Sequence, residues 1–141
     1  MLVRLLYASR AAASVDAEAL AAIMRQSKHY NAATGITGVL CLSEGLFMQV
    51  LEGGRAAVNR LYNRIAADPR HGDVELLVYE EIGERRFAGW AMGEVNLQSL
   101  NPALLLKYSE TAALDPYAVA GRASMALFEE LAATAAVCAP L

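Results

Sequence analysis

A six-residue apolar run interrupted by a single glutamine places the tightest constraint on how this chain can fold. Residues 46–51 are Leu-Phe-Met-Gln-Val-Leu, with Glu44 and Gly45 before them and Gly53 and Gly54 after them. A short, β-prone apolar run bounded by glycine predicts a buried strand. Burying the Gln49 amide without a partner would cost about 2 kcal/mol or more. The run therefore predicts a strand whose central polar side chain is hydrogen-bonded inside the protein.

Two other polar residues stand in similar apolar surroundings. Tyr7 lies in the strand-like run 2–8, and Asn31 ends a helical pattern just before the glycine-containing residues 35–38. Each has an ordinary explanation when taken alone, as a strand tyrosine at the solvent edge or a helix-end asparagine. If the phenol and the two amides converge, however, they form a site that recognises hydrogen bonds rather than one for acid–base hydrolysis.

Length and composition favour one domain that works in a reducing compartment. The chain has 141 residues, 56% of them hydrophobic, which is enough for one core and too little for two ordinary domains. The net charge is −3 and there is no Lys/Arg run, so nucleic acid is not expected as a partner. Cys41 and Cys138 form neither a metal motif nor a disulfide framework, and we expect no metal.

The sequence also predicts neither a membrane segment nor a leader. No stretch of eighteen apolar residues is free of charges or breaks, so we expect no transmembrane helix and no membrane partner. Arg4 and Arg10 interrupt the N-terminal segment before a signal peptide could form. These features together predict a cytoplasmic protein.

Strand and helix patterns alternate along the chain. Ser14 or Asp16 is expected near the cap of the first helix, Pro69 ends the second, and Asp115 caps the last, with Pro116 at its first position. The predicted strands are 2–8, 36–42, 46–52, 74–82 and a short fifth at 90–92; the predicted helices are 15–30, 55–67, about 102–108, and 115 to about 137.

This order predicts a ferredoxin-like α+β fold, βαββαββ, with a mixed five-stranded sheet. Right-handed crossovers place the first and third strands side by side and the first two helices on one face of the sheet. The C-terminal helices then cover the other face. We expect residues 1–95 to form the functional domain and residues 96–141 to form a helical cap within the same globular unit.

With those strands adjacent, Tyr7 and Gln49 point to the same helix-covered face, and the surrounding motifs resemble one known family. The chain resembles BLUF domains, the flavin-binding sensors of blue light, over roughly residues 1–95. The matching features are Tyr7 in Leu-Leu-Tyr-Ala-Ser, Asn31 four residues before Gly-Ile-Thr-Gly-Val-Leu, Phe-Met-Gln-Val-Leu-Glu-Gly at 47–53, Asp-Pro-Arg-His at 68–71, and Phe-Ala-Gly-Trp-Ala-Met at 87–92.

The resemblance implies a non-covalently bound flavin, usually FAD, with FMN or riboflavin as alternatives. Ile23 and Ile65 match the aliphatic residues that sandwich the flavin ring. Asn31 matches the amide at its polar edge, and Gln49 matches the glutamine between that edge and the photochemical Tyr7. The resemblance places four more residues at the ring edge, ribityl chain or phosphates and two at the signalling segment: Arg64, Asp68, Arg70 and His71, and then Trp90 and Met92.

The resemblance further implies a blue-light photoreceptor and not an enzyme. Light would drive electron and proton transfer from Tyr7 to the flavin and rearrange the hydrogen bonds of Gln49. The 46 residues after position 95 are too few for a cyclase or phosphodiesterase domain, so we expect a stand-alone sensor. Its partner would be a separate, unidentified effector protein or a second copy in a homodimer or higher oligomer.

Two other functions fit the same fold. An acylphosphatase-like enzyme would need an anion cradle of backbone N–H groups after the first strand, but residues 9–14 contain no glycine. A regulatory module that binds a small molecule would carry no chromophore. A yellow colour of the purified protein would distinguish the sensor from both.

Overall fold

A computed structural model describes residues 1–13, 15–95 and 101–133, and the backbone alone of residues 137–138. Within these residues, one sheet of six strands is combined with four helices. The elements are β1 (Leu2–Ala11), α1 (Ala17–Thr34), β2 (Thr37–Ser43), β3 (Leu46–Gly54), α2 (Arg55–Ala67), β4 (His71–Ile82), β5 (Gly93–Val95), α3 (Pro102–Tyr108), α4 (Gly121–Ala133) and β6 (Val137–Cys138). The predicted ferredoxin-like α+β fold is confirmed, with the two-residue β6 added at the sheet edge.

The order of strands in the sheet is β4-β1-β3-β2-β5-β6. β1 pairs antiparallel with both β3 and β4, whereas β2 pairs parallel with β5, so the sheet is mixed. In the β1–β3 register Tyr7 lies directly opposite Gln49. The predicted adjacency of the first and third strands is therefore confirmed.

A two-residue turn sets the register of the β2–β3 hairpin. Ser43 pairs with Leu46, and the two residues between them, Glu44 and Gly45, have φ angles of 49° and 79°. Positive φ at both central positions is the arrangement whose twist matches that of the flanking strands. This turn fixes which residues of β3 face each side of the sheet, because successive side chains alternate.

The sheet has two differently covered faces. The cleft face is covered by α1 and α2, and its buried residues include Val3, Leu5, Tyr7, Leu40, Phe47 and Leu51. The closed face is covered by α4 and the partly buried residues of α3, and its buried residues include Leu6, Ala8, Val39, Cys41, Met48, Val50, Phe87, Met125 and Phe128. No helix in the described part of the chain is long and apolar enough to cross a membrane.

The first helix is longer than the sequence pattern predicts. The Asp16 side chain accepts a hydrogen bond from the Ala19 N–H at 2.8 Å, which confirms it as the cap, while Ser14 lies outside the described residues. At the other end Gly35, with a φ of 71°, donates its N–H to the Asn31 carbonyl. Asn31 therefore lies in the last turn of α1 rather than after it, and its side chain faces the protein interior.

The prediction of a helix from 115 to about 137 is wrong at both ends. Asp115 caps an isolated turn, in which its side chain accepts from the Tyr117 N–H at 3.1 Å. α4 begins six residues later, at Gly121, where any Cβ would clash with the Leu77 carbonyl. Val137 belongs to β6, and residues 134–136 lie outside the described part of the chain.

The predicted fifth strand at 90–92 is also wrong, since β5 is formed by the next three residues, Gly93–Val95. The Trp90 carbonyl still accepts from the Gly38 N–H at 3.0 Å, but the Ala91 carbonyl accepts from the Asn31 side chain at 2.7 Å. The segment is thus held by α1 as well as by the sheet. β4 begins three residues earlier than predicted, at His71.

Candidate functional site

A cavity of about 140 Å³ opens between α1, α2 and the cleft face of the sheet. Its lining residues are Tyr7, Ile23, Gln26, Ser27, Tyr30, Leu40, Phe47, Gln49, Leu61, Arg64, Ile65, Asp68, Arg70 and His71. Every residue predicted to bind the cofactor is in this set except Asn31, which is buried and does not line the cavity. Residues of α1, α2 and the four strands β1 to β4 thus line a single cleft.

Gln49 is bonded at both ends of its amide. The Tyr7 hydroxyl donates to Gln49 Oε1 at 2.5 Å, and Gln49 Nε2 donates to the Met92 sulfur at 3.3 Å. All three side chains are buried. The glutamine therefore has the internal partners that its place in an apolar strand requires, and it joins β1 to the segment that precedes β5.

Tyr7 is held in its protonated form. Burial, and to a smaller extent the neighbouring Tyr62 and Asp68, raise the pKa of the Tyr7 phenol far above its ordinary value. Its ring centroid lies 5.9 Å from that of Tyr62 and 6.2 Å from that of His71. The phenol can therefore act as a hydrogen-bond donor to Gln49 throughout the physiological pH range.

Asn31 carries an acceptor that the protein leaves unused. Its Nδ2 donates to the Ala91 carbonyl, while its Oδ1 is buried and has no hydrogen-bond partner among the described residues. An unsatisfied buried polar atom costs about 1–3 kcal/mol. A ligand with a suitably placed N–H donor would remove that cost.

Charged groups line one end of the cavity. Arg70 Nη2 contacts Asp68 Oδ2 at 2.6 Å, and this bond, opposed by partial burial, holds the pKa of the Asp68 carboxyl below its ordinary value. The Arg64 guanidinium lies over the Tyr30 ring, 4.7 Å from its centroid. These groups give the cleft a polar, cationic margin beside its apolar floor.

His71, beside these charged groups, contacts residues of β1 and β3. His71 Nδ1 and Ser9 Oγ are 2.7 Å apart, and the His71 ring lies 4.7 Å from that of Phe47. Burial is the main reason that the pKa of His71 is lowered; Asp68 opposes the shift and Arg70 adds to it. The imidazole is therefore favoured in its neutral form within the cleft.

The two residues predicted to carry the signal lie on opposite sides of the sheet. Met92 is buried on the cleft face beside Gln49, whereas Trp90 is partly buried and packs against the closed face. Ala91, between them, bonds to Asn31. This three-residue segment is therefore in contact with the cleft and with the opposite core at once.

Several lining residues escaped the prediction although their spacing could have revealed them. Gln26, Ser27 and Tyr30 follow Ile23 at intervals of three, four and seven residues, which places them on one helix face. Leu61 precedes Arg64 and Ile65 in the same way. Phe47 lies two residues before Gln49 on β3, and Leu40 pairs with Gln49 across the β2–β3 ladder.

Comparison with known proteins identifies a family with this arrangement. A family model described as BLUF, sensors of blue-light using FAD, matches residues 2–93. Among curated proteins, the chain is 41% identical over 92 residues to photoactivated adenylate cyclase subunit beta of Euglena longa, an alignment that covers 64% of this chain and 11% of that protein. The chain thus spans about a tenth of the length of such curated relatives.

Two solved structures are similar over nearly their whole length. BlsA in its photo-activated state superimposes with a TM-score of 0.84 at 29% identity, covering 94% of this chain and 95% of that one. BlrB, a BLUF protein in its dark state, superimposes with a TM-score of 0.80 at 34% identity, covering 94% and 96%. The similarity includes the region beyond residue 93, where the family model ends.

Proposed function

The chain belongs to the BLUF family of blue-light sensors that use FAD, and on that premise we propose that Tyr7, Gln49 and Met92 form its light switch. The matched part of the chain is a sensor and not an enzyme, so the family match sets aside the acylphosphatase-like alternative and the small-molecule regulatory module. The observation that carries the proposal is the Tyr7–Gln49 hydrogen bond at the wall of the cavity.

The residues of the cleft fit FAD in their chemistry. The pyrimidine side of an isoalloxazine presents an N–H donor between two carbonyl acceptors, and Asn31 Oδ1 is a buried acceptor with no partner among the described residues. Ile23 and Ile65 would form apolar walls for the ring, and Gln49 would lie at its polar edge. Four polar residues would contact the ring edge, the ribityl chain or the phosphates: Arg64, Asp68, Arg70 and His71.

When bound, FAD supplies absorption of blue light and, once excited, an acceptor for one electron. Tyr7 would be the donor of that electron, and its hydroxyl proton would leave along the existing hydrogen bond to Gln49 Oε1. Gln49 can then store the change, since an amide carries an acceptor at one end and a donor at the other. Met92 sulfur is a weak acceptor, so the bond that Gln49 gives up on that side when its two ends exchange is a weak one.

Reconstitution with FAD tests the proposal. The purified chain should bind FAD without a covalent bond, and its visible absorption band should shift to longer wavelength in blue light and return in the dark. Tyr7→Phe should still bind FAD, because only a hydroxyl is lost, but should show no reversible shift. Tyr79→Phe, which removes a hydroxyl from an exposed strand position outside the cavity, is the matched control and should behave as the unmutated chain does.

Two results would reject this assignment. A chain that remains colourless after reconstitution does not form the flavin site. A normal reversible shift in Tyr7→Phe would show that another residue provides the electron and proton.

We also propose that the signal passes to a separate effector protein or to a second copy of this chain. The photoactivated adenylate cyclase subunits that match it are far longer than the matched region, which supports a sensing role that depends on a further component. In this proposal residues 1–95 sense light, and residues 96–141 form a cap whose surface changes. Any partner needs different contacts with the dark and lit forms.

A further inference from the structure

Glu52 is a fully buried carboxylate on β3, three residues after Gln49 and on the opposite, closed face of the sheet. Its Oε2 accepts from Arg4 Nε at 2.9 Å and contacts Arg4 Nη2 at 2.7 Å. Its Oε1 accepts from the backbone N–H groups of Phe87 at 2.6 Å and Arg86 at 3.0 Å, and the Arg86 N–H also lies 3.1 Å from Oε2. One carboxylate therefore joins β1, β3 and the segment between β4 and β5.

The segment held in this way carries the two atoms that accept hydrogen bonds from Asn31 and Gln49. Beyond Phe87, which is itself fully buried on the closed face, the chain reaches Ala91, whose carbonyl bonds to Asn31, and Met92, whose sulfur bonds to Gln49. Just before Ala91, the Trp90 carbonyl accepts a hydrogen bond from the Gly38 N–H. The position of Met92 thus depends on where residues 86 and 87 are fixed.

We propose that Glu52 is a positioning residue of the light switch, which anchors residues 86–92 so that Met92 meets Gln49 and the Ala91 carbonyl meets Asn31. Its effect on the light response rests on the proposed function, but its effect on the segment does not. The same anchor reaches α4, because Arg86 Nη1 contacts Glu129 Oε2 at 2.6 Å.

The donor count explains why a carboxylate is needed. Arg4 is buried, and its one further contact is to the exposed Glu80, so it requires an acceptor from Glu52. A carboxylate offers two acceptor oxygens, whereas glutamine offers one oxygen and one donating NH₂. In Glu52→Gln that oxygen can serve either Arg4 or the backbone of residues 86–87. Leaving the buried Arg4 charge without an acceptor would cost more than leaving the backbone N–H groups unbonded. The oxygen therefore bonds to Arg4, and residues 86–87 lose their hydrogen bonds to residue 52.

Three variants of the full chain separate anchoring from general stability. Glu52→Gln should speed hydrogen exchange at the Phe87 amide in the dark by about tenfold or more, the change expected for losing a bond to a charged group. It should also displace the dark visible band of the FAD-loaded protein and shrink its light-induced shift. Arg4→Met/Glu52→Gln frees the single glutamine oxygen for the backbone, so it should restore most of the slow exchange and of the light response. Arg86→Ala keeps its backbone N–H and is the control for side-chain loss; its Phe87 amide should remain protected.

Unchanged exchange and spectra in Glu52→Gln would overturn the proposal. So would failure of the double variant to restore them, because the carboxylate would then act only through the buried ion pair. If Glu52→Gln does not fold, the unmutated chain still decides: its amides at Arg86 and Phe87 should exchange far more slowly than those at Gly83 and Glu84, and equal rates would overturn the anchor. A chain without a light-induced shift would reject the proposed function and leave the exchange result standing.

Discussion

The two faces of the sheet are built from alternate residues of the same strands, but only one of them is completely filled by protein side chains. On β3, Phe47, Gln49 and Leu51 face the cleft, whereas Met48 and Val50 face the closed side. The closed face is filled by α4, and its buried carboxylate is fully bonded. The cleft face keeps a cavity and, at Asn31, a buried acceptor without a partner among the described residues. The closed face is therefore filled by the protein itself, whereas the cleft face keeps space and an unused acceptor.

Cys41 shows that a reactive group on the closed face is kept away from the cleft. Cys41 lies in the closed-face core, where burial raises the pKa of its thiol to about 12. Cys41 therefore remains a protonated packing residue. The side chain of Cys138 lies outside the described residues.

The largest expected effect is a loss of stability from the closed face. Phe128, 1% exposed, fills the core between α4 and the sheet, so Phe128→Ala should lower the free energy of unfolding by about 3–5 kcal/mol. Urea denaturation measures this, and any folded FAD-loaded protein should keep its visible spectrum. A loss below about 1 kcal/mol would show that the closed face is not the stabilising one.

A substitution in the cleft should instead weaken cofactor binding. Ile65→Ala removes part of an apolar wall, so FAD affinity measured by fluorescence titration should fall about tenfold, while the partly exposed site limits the stability loss to about 1 kcal/mol. Ile82→Ala is the matched control, because Ile82 is also partly exposed but lies outside the cavity. Equal FAD affinity in the two variants would contradict the division between the faces.

A smaller effect is expected from pH. The pKa of His71 is lowered in the folded protein, so below about pH 6.5 the unfolded chain binds the extra proton more readily and unfolding is favoured. Stability of the flavin-free protein should therefore fall between pH 7.5 and 5.5. Asp68 loses its stabilising charge only at lower pH, because its pKa is lowered too. His71→Gln should flatten this dependence, and the exposed His29, changed to Gln, should not; identical pH profiles would reject the role of His71.

The smallest expected effect comes from removing the contact between Gln49 and the segment that leads to the C-terminal region. Met92→Leu removes the sulfur acceptor at little packing cost, so most of the light-induced absorption shift should remain. Light-dependent hydrogen exchange in residues 101–133 should weaken, because Gln49 loses its contact with the segment leading to the C-terminal region. Met24→Leu changes a buried methionine on the same face without touching Gln49 and is the control. Equal light-induced exchange in all three proteins would place the output elsewhere.

Local patterns account for most of the fold and for part of the site. The order of strands and helices, with right-handed crossovers, predicted that β1 lies beside β3 and that Tyr7 and Gln49 share a face. Ile23 and Ile65 were indicated by the resemblance to BLUF domains, and both line the cavity. The cap-like pair Asp115-Pro116 misled the prediction because an isolated turn satisfies the same side-chain bond.

The remaining features depend on contacts between residues distant in sequence. The bond from Asn31 to Ala91 and the approach of Met92 to Gln49 arise from the path of the segment after β4, which has no regular period. Glu52 looks like an ordinary strand-end charge until that segment folds back onto it. Such contacts cannot be obtained from periodicity alone.

The light-minus-dark absorption spectrum of Gln49→Leu tests the central claim most directly. Leucine is close in size to glutamine but can neither donate nor accept a hydrogen bond, so FAD should still bind and the dark spectrum should move. The account predicts that blue light then leaves no persistent, reversible red shift, because Tyr7 and Met92 have lost the amide that joins them. A difference spectrum identical to that of the unmutated protein would contradict the switch.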